Sequence, residues 1–105
     1  MMVRLVAMLL AAGLQSAAAQ ELGDAAMGHQ LATTWCSACH VVAPDQAHAM
    51  VDGTPTFSAI AAMKSTTVLS LRVFLQTPHG KMPNLQLSRN ETDDLISYIL
   101  SLRKK

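Results

Sequence analysis

The stretch that most constrains this chain is Cys36, Cys39 and His40, which together spell C-x-x-C-H. Residues three and four apart share one face of a helical turn, so the two thiols and the imidazole emerge on the same side. This spacing is the pattern for covalent attachment of a c-type haem, because two thioethers hold the macrocycle while the imidazole binds its iron. The motif therefore predicts one haem c, bound through Cys36 and Cys39, with His40 as an iron ligand.

Other interpretations of two neighbouring cysteines remain open. A thioredoxin-like redox site needs a βαβ context, and no strand–helix–strand alternation is visible in the chain. A zinc site needs four ligands, and His29, His48 and His79 show no paired spacing. A structural disulfide between the two cysteines is the strongest of these alternatives.

Residues 1–19 have the three parts of a secretory signal peptide. Arg4 provides a short basic region, residues 5–14 form an apolar run, and residues 17–19 are three alanines. The run is short for a membrane span, although an uncleaved anchor is the alternative. We expect cleavage after Ala19, a mature domain of residues 20–105, export to the bacterial periplasm and no stable membrane insertion after cleavage.

Charge and size limit what the mature domain can do. Cleavage removes Arg4, one of eight basic residues, and none of the seven acidic ones, so the domain is close to neutral. No basic stripe indicates nucleic-acid binding. The domain is small and has only four aromatic residues, so a bound haem would supply much of its apolar interior.

The hydrophobic periodicity predicts an all-α fold with three main helices and a short one. With the haem that the motif predicts, these helices would wrap around a single cofactor. The first helix begins after Asp24, and its apolar positions are Met27, Leu31 and Trp35. The following loop spans residues 41–56, where turn-forming residues replace the periodic pattern. The short helix spans residues 57–63.

The second half of the chain has clear helix boundaries. Residues 65–66 can cap the next helix, and Pro78 ends it. Ser88 and Glu91 have capping-box spacing and start the last helix. Arg72, on the helix before Pro78, is expected to be solvated rather than close to a haem propionate.

Met82 lies among turn-forming residues between the last two helices, and it is the candidate for the sixth iron ligand. A thioether is a weak, soft donor that favours reduced iron when it is paired with histidine. Met50 and Met63 are alternative methionine ligands, and His79 is an alternative of a different chemical type.

The chain resembles a small bacterial class I cytochrome c over nearly all of residues 23–103. The matching residues are Gly28, Cys36, Cys39, His40, Pro55, Met82, Leu95 and Tyr98. The resemblance implies that the Pro55 carbonyl accepts a hydrogen bond from the other ring nitrogen of His40. It also supports Met82 through the family's M-P signature.

The resemblance further implies that Leu95 and Tyr98 cross the first helix near Gly28. The chain departs from the family at Ala32, four residues before the first cysteine, where an aromatic residue is usual. Trp35 or Met27 is expected to fill that gap.

With His40 and Met82 both bound, the iron has no open coordination site, so we expect a one-electron carrier between redox proteins of a respiratory chain and not an enzyme. The alternatives are a haem subunit of a larger oxidoreductase, or a haem enzyme or gas-binding protein with a labile sixth ligand.

Overall fold

The computed structural model describes residues 22–77 and 80–104, and within them it shows four helices and no strand. They are α1 (Ala25–Trp35), α2 (Phe57–Ala62), α3 (Val68–Gln76) and α4 (Arg89–Ser101). The predicted all-α fold, with three main helices and a short one, is confirmed. None of these helices has the length and apolar character needed to cross a bilayer. The predicted signal peptide, residues 1–19, lies outside the described residues.

The first and last helices begin where the sequence indicates. The Asp24 carboxylate caps α1 by accepting from the backbone N–H groups of Ala26 and Met27. Ser88 and Glu91 form the expected capping box at the start of α4, each side chain accepting from the other's backbone N–H. The acceptors satisfy N–H groups that have no partner inside a helix.

The predicted cap of α3 at residues 65–66 is wrong, because Thr67 is the N-cap residue and forms a capping box with Ser70. Thr66 is buried, and its hydroxyl donates instead to the Ile60 carbonyl at 2.6 Å. A buried hydroxyl needs a partner, and this carbonyl at the end of α2 provides one. The end of α3 is at Gln76, and Pro78 lies outside the described residues.

The contact between α1 and α4 is the most extensive between helices of the described chain. Gly28 lies directly against α4, where an added Cβ would be 2.7 Å from the Cβ of Tyr98 and would collide with the Asp94 carbonyl. Only glycine allows two backbones to approach this closely. The face of α1 that contacts α4 is therefore made of small residues, Gly28 and Ala32, both of which are buried.

The predicted apolar face of α1 is correspondingly wrong in part. Trp35 is 61% exposed and Met27 is 46% exposed, so neither replaces the aromatic residue missing at Ala32. His29, which is also exposed, supplies a ring contact to α4 from one turn earlier. Its ring stacks on Tyr98 with centroids 4.9 Å apart and planes inclined by 19°. Stacked rings attract each other beyond simple area burial.

The core lies between α4 and the other elements. Leu95, Ile96 and Ile99 of α4 are buried there with Phe57 of α2 and Leu71 of α3. Arg103, just after α4, donates to the carbonyl oxygens of Ala61 at 2.9 Å and Thr66 at 2.6 Å. The end of α4 is therefore fixed to the last turn of α2, where carbonyls lack partners inside the helix, and at Thr66 to the segment between α2 and α3.

Candidate functional site: the C-x-x-C-H turn and its supports

The three motif residues lie on one turn that directly follows α1. The backbone N–H groups of Cys39 and His40 both donate to the Cys36 carbonyl, at 3.1 and 2.8 Å. Cys36 is buried, Cys39 is exposed and His40 is half-buried. The turn thus brings the predicted residues together on a short, hydrogen-bonded segment.

Both cysteines are free thiols, so the disulfide alternative does not describe this structure. Burial raises the pKa of the Cys36 thiol to about 11, and the nearby Cys39 adds to the rise. The thiolate is the species that attacks in thiol exchange. The Cys36 thiol is therefore protonated at neutral pH, which slows its attack in disulfide formation.

The ring of His40 is oriented by the loop that leads into α2. Its Nδ1 lies 2.7 Å from the Pro55 carbonyl oxygen. A carbonyl only accepts, so this hydrogen bond places the ring proton on Nδ1 and leaves Nε2 with its lone pair. The ring also tilts against Phe57, with centroids 5.3 Å apart. Pro55 occupies the geometry that the family resemblance implied.

The segment after His40 is tied to distant parts of the fold. The Tyr98 hydroxyl of α4 donates to the Val42 carbonyl, and the Phe57 backbone N–H donates to the Val41 carbonyl at 2.9 Å. Phe57 and Tyr98 are themselves close, with ring centroids 6.4 Å apart. The α1–α4 contact and the C-x-x-C-H turn are therefore parts of one connected unit.

The sequence interpretation missed Gln46. Its side chain makes hydrogen bonds to the turn and to the following segment, although it lies in a loop whose pattern gives no periodic signal. A long polar residue six positions after the motif histidine was the only available hint. Side-chain hydrogen bonds that depend on loop conformation leave no spacing rule in the sequence.

The candidate methionines have different surroundings. Met82 is half-buried in the loop between α3 and α4, two residues after Gly80, which has a positive φ of 52°. Met50 is 88% exposed, and Met63 is 52% exposed at the end of α2. His79, the alternative ligand of another type, lies outside the described residues.

Arg72 is not solvated as expected. Its guanidinium is 2.8 Å from Asp93 Oδ1, and the two side chains are only 20% and 14% exposed. The pair connects α3 to α4. Asp93 Oδ1 is buried and makes this ionic contact without an aligned hydrogen bond. A charged pair between helices was not predictable from spacing, because the two residues lie far apart in the chain.

These donors fit a covalently bound haem. Two free thiols sit on one turn with an imidazole whose proton is held away from Nε2, the nitrogen left to bind iron. An all-α domain with this arrangement belongs to the class of small proteins that attach haem through thioethers.

The chain matches the cytochrome c family over residues 25–103, and it belongs to that family. It is also 46% identical over 80 residues to cytochrome c-552 of Bradyrhizobium diazoefficiens, an alignment that covers 76% of each chain. No solved structure was found to match it. Family membership establishes covalently bound haem c with its iron, and it supports an electron carrier that works with redox partners.

Proposed function

We propose that the protein is an exported one-electron carrier whose haem iron is bound by His40 and Met82. Haem c supplies a one-electron iron couple, and Cys36 and Cys39 hold it through thioethers. The protein's side chains fix the position of the haem iron and its reduction potential. Larger redox proteins of a respiratory chain donate the electron to this iron and accept it from the iron. The proposal covers residues 20–105, after removal of residues 1–19 in the periplasm.

The hydrogen bond from His40 Nδ1 to the Pro55 carbonyl is the observation on which the proposal chiefly depends. It selects the tautomer whose Nε2 can bind iron, and it makes the imidazole a more basic ligand. Phe57 limits rotation of the ring from the side. A histidine prepared in this way, on the same turn as both cysteines, matches what an axial haem ligand requires.

Two observations support Met82 as the ligand: its loop is anchored at both ends, and the alternative methionines are more exposed. The loop enters from α3 and ends at the Ser88 cap of α4, so it is anchored at both ends. Met50 and Met63 are more exposed than Met82, and Met63 is the C-cap residue of a helix. A histidine–methionine pair raises the reduction potential and leaves iron without an open position, which suits a carrier.

Three variants of the haem-loaded protein test the ligand assignment. In Met82→Ala we expect loss of the weak red absorption band of ferric iron bonded to methionine, a lower potential and binding of carbon monoxide. Met50→Leu and Met63→Leu are the matched controls, and both should keep the band. Loss of the band in either control, with retention in Met82→Ala, would show that another methionine binds the iron.

Export is tested separately, by the intact mass of the haem-loaded protein recovered from the periplasm. The basic, apolar and small-residue order of residues 1–19 leads us to expect a mature chain that begins at Gln20. A recovered chain that still begins at Met1 would contradict both the cleavage site and the predicted domain boundary.

A further inference from the structure

The Gln46 side chain forms a junction beside the haem-attachment turn. Its own backbone N–H donates to the Ala43 carbonyl at 3.1 Å, and this turn brings its amide back toward the motif. Its Oε1 accepts from the Val42 backbone N–H at 2.9 Å. Its Nε2 donates to the carbonyl oxygens of Ser37 at 2.9 Å and His40 at 3.0 Å.

Both polar atoms of the Gln46 side chain therefore make hydrogen bonds. An amide NH₂ group has two hydrogens, and the Ser37 and His40 carbonyls receive them, with the His48 carbonyl more distant at 3.3 Å. One carbonyl lies between the two cysteines and the other belongs to the histidine itself. A single side chain thus holds both ends of the segment that positions the imidazole.

Both backbone polar groups of Val42 depend on side chains for their hydrogen bonds. The residue is 2% exposed, so an unpaired backbone group there would be costly. Gln46 pairs its N–H, and the Tyr98 hydroxyl pairs its carbonyl. The residue two positions after His40 is consequently fixed from one side by the loop and from the other by α4.

We propose that Gln46 is a positioning residue for the haem iron, acting through the backbone of His40. The inference rests on the proposed function, in which His40 is the axial ligand. Gln46 holds the His40 carbonyl while Pro55 holds the His40 ring, so both ends of the ligand are restrained. The ring hydrogen bond makes the imidazole more basic and stabilises ferric iron. Without Gln46 that bond weakens and the reduction potential rises.

Two substitutions separate the acceptor and donor halves of the amide. Gln46→Leu has a similar size and removes both halves without adding charge. Gln46→Glu keeps an oxygen for the Val42 N–H but replaces the donating NH₂ with an oxygen that the Ser37 and His40 carbonyls repel. Gln30→Leu, at an exposed position on α1, is the matched control for the loss of a glutamine.

The test uses haem-loaded protein and measures amide hydrogen exchange at Val42 together with the reduction potential. In Gln46→Leu we expect Val42 exchange to accelerate about tenfold and the potential to rise, with Gln30→Leu unchanged in both. In Gln46→Glu the Val42 amide should remain protected. A role limited to loop packing would speed exchange but leave the potential where it is in the wild type.

The two proposals fail in different ways. Histidine–methionine spectra combined with an unchanged potential in Gln46→Leu would overturn the role of Gln46 and leave the proposed carrier intact. A haem-loaded protein without histidine ligation would overturn the proposed function, and with it the connection between Gln46 and the iron.

Discussion

The two sides of α4 are built differently. Toward α1, backbone lies against backbone at Gly28, and Tyr98 connects the contact to the segment after the haem motif. Toward α3, Leu71 is buried and the Arg72–Asp93 ion pair joins the helices, while Leu69 and Val73 remain 70% and 56% exposed. The first side depends on an exact fit between backbones, and the second tolerates side-chain change.

This difference bears on the two proposed iron ligands. The chain passes directly from α1 into the turn of Cys36, Cys39 and His40, so the α1–α4 contact supports the histidine side. The chain also passes from α3 into the loop of Met82, so the α3–α4 contact supports the methionine side. That contact is the one that tolerates side-chain change. We therefore expect substitutions to have large effects near α1 and small effects on the outer face of α3.

The largest effect is expected for Gly28→Ala. Alanine normally stabilises a helix interior relative to glycine. Here its Cβ would lie 2.6 Å from the Asp94 carbonyl carbon and 2.7 Å from the Tyr98 Cβ, so the backbones must separate. We expect a loss of about 3 kcal/mol in the free energy of unfolding, measured with denaturant on haem-loaded protein.

Gly53→Ala is the control for the added methyl group. Gly53 has a positive φ of 81° but no atom within 4 Å of the position of an added Cβ. Its replacement should therefore cost only the backbone strain, about 1 kcal/mol. An equal loss in the two variants would mean that the close approach of α1 and α4 contributes little.

The next largest effect is expected for Tyr98→Phe, which leaves the buried Val42 carbonyl without its hydroxyl partner. We expect a loss of about 2 kcal/mol at neutral pH. Burial raises the pKa of Tyr98, with a further contribution from Asp45. The folded protein then holds this proton more tightly than the unfolded chain does, so the hydroxyl's contribution declines as the pH rises above about 10.

Denaturant unfolding at a series of alkaline pH values tests this pH dependence. The difference in the free energy of unfolding between wild type and Tyr98→Phe should become smaller as the pH rises. A difference that is constant or widens would show that the Tyr98 hydroxyl is not the buried donor described here.

A smaller effect is expected for Arg72→Met, on the α3 side. The substitution keeps much of the apolar stem but leaves Asp93 with an unpaired carboxylate. Because both side chains retain some solvent contact, the loss should be about 1 kcal/mol and should shrink as salt is added. Denaturant unfolding at low and high ionic strength measures it, and a loss independent of salt would point to packing instead.

The smallest effect is expected for Leu69→Ser, at the 70% exposed position on the outer face of α3. Exposed substitutions away from special features change stability by less than about 0.5 kcal/mol. If Leu69→Ser cost as much as Tyr98→Phe, the proposed contrast between the two sides of α4 would be wrong.

The sequence predicted the helices well because their ends depend on local rules, as the Asp24 and Ser88 caps show. The crossing of Tyr98 near Gly28 is a contact between distant parts of the chain, and only the family resemblance implied it. Sequence reasoning was less successful for side chains that have more than one possible hydrogen-bond partner. Thr67 rather than residues 65–66 caps α3, since Thr66 is buried toward Ile60.

Long-range pairing was beyond sequence reasoning at the site as well. The position of His29 against Tyr98 depends on how α1 and α4 are rotated, and periodicity favoured the larger Trp35 and Met27 instead. The contacts of Gln46 depend on the path of the loop. In contrast, the spacing of the haem motif is set within one turn, which is why it could be recognised directly.

A redox titration of the wild-type, haem-loaded protein, with and without carbon monoxide, tests the central claim most directly. If His40 and Met82 occupy both axial positions, the titration should show a single one-electron transition at neutral pH, and carbon monoxide should not move it. A midpoint that rises under carbon monoxide would mean that the gas binds ferrous iron in competition with the sixth ligand. That result would contradict a closed electron carrier and favour a gas-binding or catalytic haem protein.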